Sequence, residues 1–313
     1  EDRYVWLDKF TIRNLELVYA QHDGGVPLID ILDETITPMG SRLLKKWVVL
    51  PLKAVSAIQD RLAMVRAFFD NQELLDEVRS YLKPIGDVER LISKVAVGRI
   101  NPREMVQLKK ALANIAPVQD LLVKSGLPEL KKLADQINPC GPLLDKIDAT
   151  LKEDVPIVAN QGNIINDGVN EELDDLRKIA FSGKDYLVQI QQREIERTGI
   201  PSLKIAYNKV FGYYLEVSNA HKAKVPQEWI RKQTLVNAER YITEELKVYE
   251  EKILNAEDQL VIIEQRLFNS LVTEAAEYVT HIKQNAKVLA ALDCLSAYAL
   301  IDRQNDYVEP EVN

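Results

Sequence analysis

Two long heptad patterns dominate the distribution of apolar and polar residues along this chain. The first follows Asn170, a residue type favoured at helix N-caps, and its apolar or small positions are Val169, Leu173, Leu176, Ala180, Gly183, Leu187 and Ile190. The second follows Thr243 in the same way, with positions Leu246, Tyr249, Ile253, Ala256, Leu260, Ile263 and Leu267. Helices over 170–197 and 244–271 would have equal lengths of about 42 Å. The pattern predicts an antiparallel coiled-coil hairpin, with two ordinary bundle helices as the alternative.

The insert between these helices, 201–240, has the composition of a small β-structure. Residues 203–207 alternate partly between apolar and polar, and 210–217 are rich in β-formers. Asn208 and Lys209 lie between them as a two-residue turn, and a third strand is expected over Gln233–Asn237. The insert is therefore predicted to be a small antiparallel sheet at the tip of a two-helix arm.

The remaining residues predict a helical bundle. Helices are expected after Thr37-Pro38 and near 54–70, 72–82, 87–97, 102–126 and 142–152, separated by short Pro/Gly breaks. Residues 1–25 contain β-formers around 10–18 and a turn at Asp23-Gly24-Gly25, so this segment is predicted to be strand-like and irregular. The fold class is mainly α. We expect one domain over 1–168, the arm with its sheet over 169–263, and a return to the first domain over 264–313.

The composition is that of a globular, non-membrane protein. Apolar residues make up 46% of the chain, and no apolar run approaches the roughly 20 residues that span a bilayer. Cys140 and Cys294 lie far apart without metal-ligand spacing, which predicts buried free thiols and a reducing compartment. The first residues, Glu1-Asp2-Arg3-Tyr4, have no signal-peptide character and no Met. We interpret the sequence as a segment of a longer cytoplasmic protein.

Positive charge is concentrated in the insert although the whole chain has a net charge of −8. Residues 197–240 contain eight basic and three acidic residues, which gives +5 there and −13 elsewhere. Such a basic island predicts one local surface for an anionic partner. Its side chains that could contact a phosphate backbone are Lys204, Asn208, Lys209, Asn219, Lys222, Lys224, Arg231, Lys232, Gln233, Thr234, Asn237 and Arg240. The competing explanation is that the Lys and Arg residues protect exposed sheet edges from pairing with another chain.

The sequence offers no constellation for catalysis or metal binding. His22, His221 and His281 are scattered, and Ser182-Gly183-Lys184 lacks the glycine and the hydroxyl residue that a phosphate-binding Walker loop requires. No catalytic residue, metal ligand or cofactor is therefore assigned to this segment. Gly183 interrupts the first heptad pattern, and since glycine costs a helix about 1 kcal/mol relative to alanine, we predict a hinge there.

Four motifs, in order, resemble those of the MutS DNA mismatch-repair family. Residues 32–47 followed by Pro51-Leu52 resemble the start of the MutS core domain, and 193–200 resemble the end of the outgoing lever helix. Residues 207–217 look like the hairpin of the MutS clamp, and 233–241 look like the return of the clamp into the lever. The resemblance covers essentially the whole chain. One departure is Val236, because MutS sequences often carry Lys there.

The resemblance implies a core and lever domain with an inserted clamp that grips double-stranded DNA by its backbone without reading sequence. It also implies that the full-length protein is nucleoid-associated, is a homodimer and an ATPase that uses ATP and Mg²⁺, and contacts MutL. The mismatch-reading and ATPase domains are expected before Glu1 and after Asn313. Two other functions stay open: a coiled-coil scaffold that dimerises through its tip, and a helical adaptor that binds another protein through its acidic body.

Overall fold

The computed structural model describes residues 3–312, which divide into two compact units. The first, called here the helical unit, comprises residues up to Ile157 together with those from Asn269 onward. The second, the arm unit, comprises Val158–Phe268. The predicted domain boundaries at 168/169 and 263/264 stay predictions.

The helical unit begins with ten helices. Their bounds are α1 (Lys9–Asn14), α2 (Leu28–Leu32), α3 (Pro38–Val49), α4 (Val55–Asp70), α5 (Gln72–Ile85), α6 (Val88–Ala96), α7 (Pro102–Ala113), α8 (Ile115–Lys124), α9 (Pro128–Ala134) and α10 (Gly141–Thr150). The arm unit contains α11 (Glu171–Thr198), β1 (Lys204–Asn208), β2 (Gly212–Ser218), β3 (Ile230–Thr234), β4 (Ala238–Ile242) and most of α12 (Glu244–Ala276). Helix α13 (Val279–Asn305) completes the helical unit. Short 3₁₀ helices cover Ala159–Gln161 and Asn219–Lys224. The prediction of a mainly α fold with a small antiparallel sheet is confirmed.

Helix α13 forms the centre of the helical unit, where it packs against α3, α4, α5 and α6. Its Asp293 is fully buried and accepts hydrogen bonds from the backbone of Ile36 and Thr37 at 2.9 and 2.7 Å and from the Thr37 hydroxyl at 2.6 Å. These donors lie at the N-terminus of α3, where a helix dipole favours a negative charge. Burial nevertheless raises the pKa of Asp293. The buried carboxylate therefore ties two distant parts of the sequence together.

Two expectations for the helical unit are corrected, and one of its helices was not expected. The segment predicted to be strand-like contains helix α1, whose N-terminus is capped by the Asp8 carboxylate accepting from Thr11 N at 2.7 Å. Among residues 3–25, the β-pairing is one antiparallel bridge between Tyr4 and Leu52. The predicted helix over 102–126 is two helices, and Pro117 lies in the first turn of α8, where a missing N–H is tolerated. Helix α9 was not predicted. The expectation of buried free thiols at Cys140 and Cys294 is confirmed.

In the arm unit, α11 and α12 run antiparallel, as the heptad spacing predicts. In the ion pairs between the two helices, the residue number increases along α11 while it decreases along α12, which is the pattern of antiparallel helices. The pairs are Glu172–Arg266, Arg177–Glu264, Lys184–Glu257 and Arg193–Glu245. The buried seam contains Leu173, Ala180, Leu187 and Ile190 from α11 and Leu246, Ile253, Ala256 and Ile263 from α12. Each of these residues occupies a predicted heptad position.

The arm carries a four-stranded antiparallel sheet in the order β1-β2-β4-β3. The strand predicted over 233–237 is wrong. Residues 233–234 are the end of β3, residues 235–237 form the turn, and β4 begins at Ala238. The β1–β2 turn has three residues, 209–211, instead of two. Asn208 Oδ1 accepts from the backbone of Val210 and Phe211 at 3.0 and 2.7 Å, and Gly212 follows with a φ of +75° that favours glycine.

Candidate nucleic-acid interface

The two faces of the sheet have different roles. Leu215 and Val217 of β2 point to the same face and join a cluster with Leu187, Ile190 and Leu246 of the helices. Alternation along a strand sends Tyr214 and Glu216 to the opposite face. The first face therefore attaches the sheet to the arm, and the second carries polar groups.

The polar face is organised by an ion-pair ladder around Glu216. Its carboxylate accepts from Arg240 Nε at 3.0 Å and pairs with Lys204 Nζ at 3.3 Å. The Arg240 guanidinium lies 4.4 Å from the centre of the Tyr214 ring and donates to Gln233 Oε1 at 2.9 Å. Three predicted contact residues, Lys204, Gln233 and Arg240, are thus engaged within the sheet. The polar face has a smaller free positive charge than the sequence suggests.

The end of the sheet opposite the β1–β2 turn is called here the tip: the 3₁₀ segment 219–224 and the β3–β4 connection with its flanks, 232–237. Asn219 joins these two segments, because its Nδ2 donates to Val236 O at 2.8 Å and its backbone N donates to Asn237 O at 3.1 Å. The side chains of Lys222, Lys232, Thr234 and Asn237 are exposed around this connection. The structure thus brings together, at one hydrogen-bonded turn, groups that the sequence places in two separate segments.

The cations at the tip differ in how they are held. Within residues 3–312, Lys222 and Lys232 form no ion pair with a carboxylate, whereas Arg231 NH1 lies 3.4 Å from the buried Glu239. The Tyr241 hydroxyl donates to the Glu239 carboxylate, which lowers the pKa of Glu239, while burial and this carboxylate raise the pKa of Tyr241 to about 12. Lys224 Nζ donates to Gly199 O at 3.0 Å. At the tip, Lys222 and Lys232 are therefore the cations whose side chains form no ion pair and no hydrogen bond within residues 3–312.

Asn208 and Lys209 lie away from the tip. They belong to the β1–β2 turn, and β2 separates that turn from the tip by about 20 Å at 3.3 Å per residue. Lys247 Nζ of α12 donates to Phe211 O in the same turn, at 2.6 Å. The predicted contact set therefore forms two groups, one at each end of the sheet, and most of it lies at or near the tip.

Gly183, the predicted hinge, lies directly opposite Ile253 of α12. A Cβ placed on Gly183 would lie 2.5 Å from Ile253 Cγ1, well inside van der Waals contact. Helix α11 continues through this position. The glycine thus provides space for a large side chain of the opposing helix, and the hinge stays a prediction.

A network of ion pairs, which the sequence pattern did not predict, lies at the C-terminal end of α11. Arg193, Glu194 and Arg197 on the last turns of α11 connect to Glu245 of α12 and to Glu228, which precedes β3. The sequence signal was a pair of arginines four positions apart with two glutamates, Glu194 and Glu196, between them. Their partners lie 31 and 52 positions away and could not be paired from the pattern.

Neither unit shows a metal centre or a membrane segment in the part of the chain that the structure describes. No group of three His, Cys, Asp or Glu side chains among residues 3–312 is arranged to hold a metal ion. None of the helices over the same range combines the length and the apolar character that crossing a bilayer requires.

Fold and site together define an all-helical domain interrupted by a two-helix arm with a basic-tipped sheet. Comparison with known proteins places this architecture in a family: residues 10–299 match the family model for MutS domain III. The chain belongs to the MutS domain III family. It is 62% identical to the DNA mismatch repair protein MutS of Cytophaga hutchinsonii, 56% to that of Parabacteroides distasonis and 54% to that of Bacteroides thetaiotaomicron. Each similarity covers 100% of this chain and 36% of the relative, so the chain spans about a third of the length of these relatives.

Proposed function

We propose that this segment grips the backbone of double-stranded DNA through the tip of its sheet, without reading base sequence. The observation that carries the proposal is the pair of unpaired, exposed lysines, Lys222 and Lys232, held beside Thr234 and Asn237 by the Asn219 bridge. Lysine neutralises phosphates, and hydroxyl and amide groups donate to phosphate oxygens. The relatives carry the name DNA mismatch repair protein, which supports DNA as the polyanion.

The rest of the arm suits a mechanical role within the same proposal. Helices α11 and α12 form a continuous antiparallel pair with cross-helix ion pairs near both ends. We propose that this pair relays motion between the tip and an ATPase domain of the full-length protein, which would bind ATP and Mg²⁺. For that protein we also propose a homodimer enclosing DNA and an interaction with MutL, as the family resemblance implies.

The DNA proposal is tested by charge reversal at the tip. Lys222→Glu combined with Lys232→Glu should weaken binding to a duplex and lower the slope of log affinity against log salt by about 2, since each lost phosphate contact removes about 0.9. Fluorescence anisotropy with several unrelated duplexes at two or more salt concentrations measures both quantities. The unmodified chain is expected to bind with a Kd on the order of 10⁻⁴ to 10⁻⁶ M and without sequence preference.

A matched control exists in the helical unit. Lys283 and Lys287 are exposed on α13, and reversing both changes the net charge of the chain by the same amount. This control should leave the salt slope unchanged. Equal losses for the two double variants would show that net charge governs binding and would contradict a role for the tip.

A further inference from the structure

The end of α11 carries an alternating series of carboxylates and guanidiniums. Arg197 NH1 lies 2.8 Å from Glu228, and Arg197 NH2 lies 2.7 Å from Glu194 Oε2. Glu194 Oε1 lies 3.2 Å from Arg193 NH2, which in turn lies 2.5 Å from Glu245 Oε2. The series therefore runs from the segment before β3, across the last turns of α11, to the first turn of α12.

Glu194 is the centre of this network and the only one of its carboxylates that is buried, with 5% of the residue exposed. An exposed ion pair contributes little to stability, because water screens the charges. A buried carboxylate behaves differently, since removing a partner leaves an uncompensated charge in a poorly solvated place. The buried charge of Glu194 therefore favours conformations in which both arginines remain paired with it. In those conformations Arg193 is oriented towards Glu245 and Arg197 towards Glu228.

The elements that the network joins are those that orient the tip. Glu228 precedes Trp229, which is buried and lies 6.0 Å from the Tyr241 ring of β4. Just before them, Lys224 of the 3₁₀ segment donates to Gly199 O at the C-terminus of α11. The C-terminal end of α11 thus contacts both ends of the segment 224–228: Gly199 accepts from Lys224, and Arg197 pairs with Glu228. This segment connects Lys222 to β3.

We propose that Glu194, with Arg193 and Arg197, is a positioning residue that locks the sheet onto the helix pair in one orientation, so that the tip is presented as a single rigid surface. The functional role of this lock rests on the proposed DNA contact. The lock itself does not, because it is formed by residues of this chain in the absence of DNA. Pre-organising a binding surface improves affinity by reducing the ordering cost of association.

The lock is tested without DNA by a distance measurement across the arm unit. Spin labels are attached at Val188→Cys on α11 and Val236→Cys at the tip, both exposed, while the native Cys140 and Cys294 are buried. Glu194→Gln should broaden the distribution of label distances while leaving helix content by circular dichroism unchanged. The matched control is Glu196→Gln, two positions along the same helix, whose exposed carboxylate accepts only from Gln192 Nε2 at 2.9 Å among the contacts described.

A second variant covers the case in which Glu194→Gln does not fold. Glu228→Gln removes the exposed end of the network, where a loss of folding is not expected, and should also broaden the distribution, to a smaller extent. Distributions as narrow as those of the Glu196→Gln control in both variants would overturn the lock.

Binding to duplex DNA separates the lock from the proposed function. If the tip must be held rigid, the broadened variants should bind about fivefold more weakly than the control at equal salt, because they lose pre-organisation and no charge at the tip. Broadening with unchanged DNA affinity would overturn the positioning role. Failure of the unmodified chain to bind DNA would overturn the proposed function, and the distance distributions would still decide whether the lock exists.

Discussion

Helices α11 and α13 have nearly the same length and are held in opposite ways. Fourteen of the 27 residues of α13 are buried, including the polar Asn285, Asp293 and Ser296. Only five of the 28 residues of α11 are buried, and one of these is Glu194. A helix buried on most sides is specified by the space its neighbours leave, whereas one with a single narrow seam depends on that seam and on polar contacts.

The difference between the two helices predicts which substitutions should affect each unit most. In the helical unit, removing volume from the core should cost stability. In the arm unit, the alignment of α11 on α12 rests on a fit of Gly183 to Ile253 and on ion pairs such as Arg177–Glu264, in which Glu264 is buried. Changes there should alter alignment and pH response more than total stability.

The largest effect is expected from the core of the helical unit. Leu289 of α13 is fully buried, so Leu289→Ala should lower the free energy of unfolding by about 2–5 kcal/mol through lost contacts and a residual cavity. Urea denaturation followed by circular dichroism measures the change. The matched substitution in the arm is Val188→Ala, where the side chain is 66% exposed and the effect should stay within about 0.5 kcal/mol. Similar losses would contradict the contrast between the two helices.

An intermediate effect is expected at Gly183. Alanine normally favours a helix by about 1 kcal/mol over glycine, but here its Cβ would collide with Ile253, and overpacking costs about 1–3 kcal/mol. Gly183→Ala should therefore destabilise the chain, and in an Ile253→Ala background the same change should stabilise it. Thermal or urea unfolding of the four proteins gives this double-mutant cycle. A stabilising Gly183→Ala in the unmodified chain would contradict the steric fit of Gly183 to Ile253.

A smaller effect is expected on how the stability of the arm changes with pH, and the lowered pKa of Glu245 fixes its direction. Hydrogen bonds from Arg193 lower the pKa of Glu245 below 4.5, so the ionised carboxylate stabilises the folded arm. This contribution is complete above pH 4.5 and is lost as the pH falls through the lowered pKa. The stability difference between the unmodified chain and Glu245→Gln should therefore be largest at neutral pH and shrink in acid. A difference that grows on acidification would show that the pKa is raised instead.

The smallest effect on stability is expected at Val236, where only binding should change. Val236 is 91% exposed at the tip, so Val236→Lys adds a cation without disturbing packing and should steepen the salt slope of DNA binding by about 1. Val308→Lys, at a position 88% exposed in the helical unit, is the matched control and should leave the slope unchanged. If both variants bind DNA equally well, the position of the added charge is irrelevant.

The heptad positions and the basic segment were predictable because each depends on local sequence. Leu173, Ile190, Leu246 and Ile253 are apolar at regular spacing, and a regular helix places such residues on one face wherever it lies. The strand boundaries after Lys224 were not predictable. In the folded chain Asn219 bonds to the connection between β3 and β4, 17 positions further along the sequence, and no local pattern indicates that contact.

The sequence by itself determined the helical class, the heptad positions of the two arm helices and the charge of the insert, because periodicity and charge are properties of neighbouring residues. The predicted equal lengths of the two helices are wrong, since α12 extends to Ala276 and has 33 residues against 28 in α11. Only the tertiary structure decided which cations stay free. Glu216 forms ion pairs with Lys204 and Arg240, and Glu239 forms one with Arg231. The tip residues Lys222 and Lys232 have no carboxylate partner among the described residues. The pairing of charges depends on strand register and on which face each side chain takes, and both are fixed by the burial of Leu215 and Val217 against the helices.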